Sequence, residues 1–117
     1  MTHLDAAFLS IAMRADVARA DFDRLAAQAE VVGINVDGEP AGAVLIIGNH
    51  IHACVLPQYA GRWFSRKAAR ALNGVIERHG HALTNATTEA GRVFVERLGF
   101  KKVGDEYRKD EKWALNH

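Results

Sequence analysis

The spacing of the apolar residues changes at Val31, and that change limits the fold more than any other feature of the chain. Before it the spacing is helical. Leu4, Phe8 and Ile11 share one face, and Ala18, Phe22, Leu25 and Ala29 share another. Asp16 between them reads as an N-cap, which predicts two short helices or one kinked one. From Val31 the period is two: Val32, Ile34 and Val36 alternate with Val31, Gly33 and Asn35 as far as Asp37-Gly38, a hairpin dipeptide. "AGAVLIIG" is a second strand, Gly48-Asn49 a second tight turn, and "HIHACVLP" a third strand ended by Pro57.

After the third strand the helical period returns. Ala68, Ala69, Leu72, Val75 and Ile76 form an apolar stripe behind a Ser65 cap, and His79-Gly80 ends the helix. "HALTNA" is a short strand. A helix from about Thr88 is expected to carry Ala90, Phe94 and Leu98 inward, and Gly99-Phe100 to close it as a Schellman motif. "KKVGDEY" and "KWAL", around the charged turn "RKDE", are expected to form a last hairpin. The expected order is α(α)βββαβαββ, without repeats or linkers.

At 117 residues the chain is expected to be one domain spanning 1–117. Hydrophobic residues make up 49% and charged residues 25%, an ordinary globular balance that argues against a disordered chain. The net charge of +1 points neither to nor away from nucleic acid, although Arg62, Arg66, Lys67 and Arg70 gather in one short stretch. A single cysteine, Cys54, rules out an internal disulfide and suits a reducing compartment. The opening residues carry acid early and lack a basic start, so no signal peptide is expected. No apolar run is long enough to span a bilayer. The expectation is a cytoplasmic protein.

Chemistry is concentrated in "VLPQYAGRW" and the helix after it. A strand, a tight turn and a helix N-terminus together present amides that lack acceptors, and the helix dipole favours an anion there. Gly61 allows the sharp turn, and Arg62 and Arg66 can add charge-assisted bonds to phosphate. The same pattern also serves as a solvated cap.

Taken with the order of elements, "VLPQYAGRW" and "FVERLGF" resemble the GNAT superfamily of acyl-CoA-dependent N-acyltransferases from about Val31 to Leu115. The resemblance implies an α+β, three-layer α/β/α sandwich with a mixed, mainly antiparallel sheet. It also implies acyl transfer from acetyl-CoA, as co-substrate, to an amine of a small molecule or protein. By position it places pantetheine contacts at Ala53, Cys54 and Val55, and pyrophosphate contacts at Gly61, Arg62, Trp63, Phe64, Ser65 and Arg66. It also brings Thr88, at the start of the last helix, to the cofactor.

The family's glycine-rich signature is replaced here by Ala60, Trp63 and Ser65, and the tyrosine that protonates the leaving thiolate is replaced by Val95. Similar compact versions occur among phage-encoded proteins, which implies a host cytoplasm or virion. A non-catalytic binding or virion-associated module is therefore the alternative reading. Trp63 is expected at the rim of the groove and Phe64 in the core, because positions 64, 68 and 72 share a face.

His52 is the candidate general base, since His50 and His52 share one side of the strand beside the expected thioester. Tyr59 and Tyr107 are alternative acids. His50-x-His52 and His79-x-His81 have metal-like spacing but lack a completing carboxylate or cysteine, so no metal is expected. Cys54 reads as a buried thiol. Without stacking aromatics beside the basic cluster, a nucleic-acid partner is not expected. The apolar "AAFLSIAM" is expected either to seal the sheet within the chain or to form a homodimer contact.

Overall fold

The computed structural model describes residues 1–114. Its elements are α1 (His3–Ala12), α2 (Arg19–Ala27), β1 (Glu30–Val36), β2 (Glu39–Ile47), β3 (His50–Val55), α3 (Arg66–His79), β4 (Ala82–Thr84), α4 (Glu89–Arg97), β5 (Lys101–Val103) and β6 (Glu106–Lys109). The chain is an α+β fold built on one mixed six-stranded sheet, ordered β1-β2-β3-β4-β6-β5. Every neighbouring pair is antiparallel except β3 and β4, which run parallel across the α3 crossover.

The first two turns are the ones their dipeptides demand. Asp37 and Gly38 both have positive φ, 53° and 81°, as a type I′ hairpin requires, and Gly48 turns at 61°. Between Ile34 and Asn35 the register shifts, leaving Ala41 as an extra residue on β2. Alternation along β2 then divides the core. Val44 and Ile46 join Ile34, Leu72, Val75 and Ile76 on the face covered by α3. Ala43 and Leu45 join Cys54, Ala7, Phe22 and Ala26 under α1 and α2.

All five stripe residues of α3 are buried. Ser65 accepts from the Ala68 amide at 3.3 Å, and Gly80 closes the helix at φ 81°. Helix α4 ends as expected: Gly99 N–H donates to Glu96 O, and Phe100 N–H to Val95 O, both at 3.0 Å. Helix α1 lays Ala6, Ala7 and Ser10 on the sheet within the chain, while Leu9 and Met13 stay on its outer side.

Three expectations change. Helix α2 is capped at Ala18 without a side-chain bond, because it starts too late for the Asp16 carboxylate to reach its first amides. Leu25 and Ala90 are exposed, since α2 and α4 turn only narrow faces inward. The last hairpin turns at Gly104-Asp105 (Gly104 φ 64°), so Arg108 and Lys109 belong to β6. "KWAL" forms no strand through Ala114, and Leu115 lies outside the described residues. Trp113 is tied to α3 instead: Asn73 donates to its carbonyl at 2.8 Å and accepts from its amide at 2.6 Å.

Candidate functional site: the gap beside β3

Strands β3 and β4 meet at one register position, His50 opposite Leu83. Leu83 N–H donates to Asn49 O at 2.8 Å, and the buried Thr84 hydroxyl donates to Ile51 O at 2.7 Å. Beyond Ile51 the strands part. On the other side of β3 the ladder with β2 is continuous, and Leu56 N–H donates to Ala41 O at 2.9 Å. Antiparallel alternation therefore turns the backbone groups of Cys54 to β2 and those of Ala53 and Val55 into the gap. No residue of β4 stands opposite Ala53 or Val55.

The chain leaves β3 through successive i→i+3 bonds: Tyr59 N–H to Leu56 O, Ala60 N–H to Pro57 O and Arg62 N–H to Tyr59 O, at 3.0, 3.1 and 3.0 Å. Gly61 takes φ 79° there, with open space where a Cβ would stand. Among the described residues, the amides of 63–67 donate to nothing, and they lead into the N-terminus of α3. Arg66, Lys67 and Arg70 are exposed and have no carboxylate partner among the described residues. Arg62 does have one. Its guanidinium is bonded to Asp37 in the β1–β2 turn.

An apolar cavity of about 60 Å³ lies on the α3 side of the gap, lined by residues that include Ala53, Trp63, Phe64, Thr84, Phe94 and Val95. Trp63 and Phe64 are both half-buried and both line it, so the expected division between a rim ring and a core ring does not appear. The Trp63 ring packs on Phe94 at 5.2 Å and on Phe64 at 5.7 Å, and Phe64 is backed by Trp113 at 5.7 Å.

His52 and Cys54 point the other way, toward α1, because side chains alternate along β3. His52 is half-buried, and burial first, then the adjacent His50 ring, hold its pKa below the ordinary 6.5. The ring is therefore neutral near pH 7 and free to accept a proton. Burial pushes the Cys54 thiol up to about 11, which leaves it protonated and unsuited to attack. His50 Nε2 lies 3.5 Å from Glu106 Oε2, and Asn49 Nδ2 lies 2.8 Å from His81 Nε2. No group of three or more potential ligand side chains gathers for a metal among the described residues. Tyr107 is buried in the core, and Thr88 caps α4 by accepting from Gly91 N–H at 3.0 Å.

The structure thus brings Ala53, Trp63 and Phe64 to one cavity and leaves the backbone groups of Ala53 and Val55 unpaired beside it. It sets the His52 and Cys54 side chains on the face of the sheet opposite that cavity and gives Arg62 and Thr88 local partners. Thr84 went unnoticed in the sequence, because only the strand register puts its hydroxyl against Ile51. Comparisons with protein-family models, curated proteins and solved structures return no match. No helix among the described residues is long and apolar enough to cross a membrane.

Proposed function

We propose that the chain is a GNAT-like three-layer α/β/α domain that binds acetyl-CoA and transfers its acetyl group to an amine. The observation that carries this reading is the succession of two sets of unpaired backbone groups at the end of β3 and the start of α3. The backbone groups of Ala53 and Val55 in the gap are joined through the hydrogen-bonded turn of residues 56–62 to the free amides of 63–67, with Arg66 and Lys67 alongside. The first suits an amide-bearing arm and the second a pyrophosphate. The cofactor supplies the thioester carbon. The chain supplies gap amides to polarise a carbonyl, and His52 accepts the proton given up by the amine. Val95 cannot return a proton to a thiolate, so solvent does.

One observation favours a second reading, a binding module that has lost transfer: Trp63, where the family signature has glycine, packs its ring on Phe94 at 5.2 Å, and both line the cavity. Calorimetry with acetyl-CoA on the wild type and on Trp63→Gly tests both readings. Wild-type binding below millimolar, unimproved by the substitution, is expected. Binding at least about tenfold tighter in Trp63→Gly, equivalent to about 1.4 kcal/mol, would show that the indole stands in for a lost ligand. No binding by either protein would end the acyl-CoA reading.

A further inference from the structure

The α1 side of the gap holds a guanidinium that the transfer reading leaves unused. Arg14, just beyond the end of α1, donates from Nε to Ser10 O at 3.2 Å and from Nη1 to Thr87 Oγ1 at 3.4 Å. Thr87 lies in the loop that follows β4. Arg14 is also close enough to Cys54 of β3 to act on that thiol electrostatically. The side chain therefore runs from the end of α1 to the loop after β4, on the α1 face of the sheet, the face that carries His52.

Its partners are unusual for this chain. Arg19, Arg24, Arg62, Arg78, Arg92 and Arg108 each pair with a carboxylate. Arg14, Arg66, Arg70 and Arg97 do not, and of these four Arg14 is the one whose guanidinium is bonded to neutral oxygens of two separate elements among the described residues. Two neutral oxygens hold it in place and leave its charge uncompensated. Of its five N–H donors, the bonds to Ser10 and Thr87 use two. The remaining ones include the terminal pair suited to a carboxylate, and an anchored fork loses little entropy on binding one.

We propose that Arg14 binds the carboxylate of the amine acceptor, so that the acceptor is a free amino acid or similar amino-carboxylate rather than a protein lysine. This rests on the acyl-CoA reading above. The acceptor carboxylate meets Arg14 while its neutral amine faces the gap near His52. The new bond joins amine nitrogen to acyl carbon and the carbon–sulfur bond breaks. The amine's proton passes to His52, and the thiolate takes one from water.

The experiment has two parts. Arginine Nε–Hε resonances are followed by NMR as millimolar amino acids, or their carboxamides, are added without acetyl-CoA. A shift at Arg14 with the acids alone is expected. Release of coenzyme A thiol from acetyl-CoA is then measured with the same pairs and with a lysine-containing peptide. Expected is a preference of about tenfold or more in kcat/KM for the carboxylate form, falling to about twofold in Arg14→Gln, with the acetyl-CoA Kd unchanged. Equal use of acids and carboxamides, a preference that survives Arg14→Gln, use of the peptide instead, or binding of acetyl-CoA without turnover of any acceptor would each overturn the proposal. Failure to bind acetyl-CoA would fall on the underlying reading and leave the resonance shift to judge Arg14 itself.

Discussion

On its β2 side β3 is paired at every residue from His50 to Val55, whereas on its β4 side it is paired at His50 alone. On the β2 side the contact is so close that a Cβ placed on Gly42 would stand 2.0 Å from the Cys54 carbonyl oxygen. On the β4 side, Thr84 reaches across to one carbonyl and the next backbone groups are left open. The two flanks differ because their partners arrive differently. Strand β2 is delivered by a two-residue turn, and β4 by a crossover of a turn and a four-turn helix. The closed flank satisfies the backbone of β3 throughout, and the open one leaves the outward groups of Ala53 and Val55 without a strand partner.

The largest effect should come from breaking the closed flank. Gly42 has φ 152° as well as no room for a side chain. Gly42→Ala combines backbone strain with overpacking, each of about 1–3 kcal/mol, so a loss of about 2–5 kcal/mol is expected in denaturant unfolding. A wild-type midpoint would mean that β2 and β3 are not held as closely as the contact requires.

The closed flank was legible in the sequence because its instructions are local. Asp37-Gly38, Gly48-Asn49 and the alternation of "AVLII" set turn type, register and buried face within a few residues. The caps at Ser65 and Thr88 and the Gly99-Phe100 closure were legible for the same reason. The gap was not legible from spacing. Where β4 lands depends on how α3 packs, which no local pattern states. "RKDE" misled because charge suggested a turn, while Tyr107 and Lys109 alternate inward with Arg108 outward as a strand does. The crowding of Trp63 and Phe64 around one cavity depends on Phe94, thirty or more positions away, which no local pattern announces.

Removing the one side-chain bridge across the open flank sharpens the contrast. Thr84→Val keeps the shape and leaves the Ile51 carbonyl without its donor, at a cost of about 1–2 kcal/mol, while Thr84→Ser should recover most of it. Amide hydrogen exchange at Leu83 should quicken in Thr84→Val and stay slow across the β2–β3 ladder. Equal quickening on both flanks would show that the gap and the ladder open as one unit.

The proposed acyl-CoA reading of the open flank also predicts which cations matter. Arg66→Ala with Lys67→Ala should weaken acetyl-CoA binding by about 1–2 kcal/mol, and the effect should shrink with added salt. Arg62→Ala should weaken binding less, since its guanidinium already serves Asp37. A larger loss from Arg62 than from the pair would place the phosphates nearer β1.

The smallest effect concerns the α1 side of β3, which lies between the two extremes: covered by a helix, yet beside the gap. His52 is held below its ordinary pKa of 6.5 chiefly by burial and next by His50. The unfolded chain therefore takes up the His52 proton at a higher pH than the folded chain does. Over the window that begins near 6.5 and runs down to the folded value, the unfolded state binds more protons, so stability rises with pH and is lost as pH falls. His52→Gln removes that contribution. Between pH 7 and pH 5 the wild type should lose more of its denaturant midpoint than His52→Gln does, with the two curves closest in slope above pH 7. Coincident slopes throughout would show that the ring is as well solvated as the open flank. A base there would then owe nothing to burial, and the neutral His52 that the proposed transfer requires would have to be held neutral by the solution pH alone.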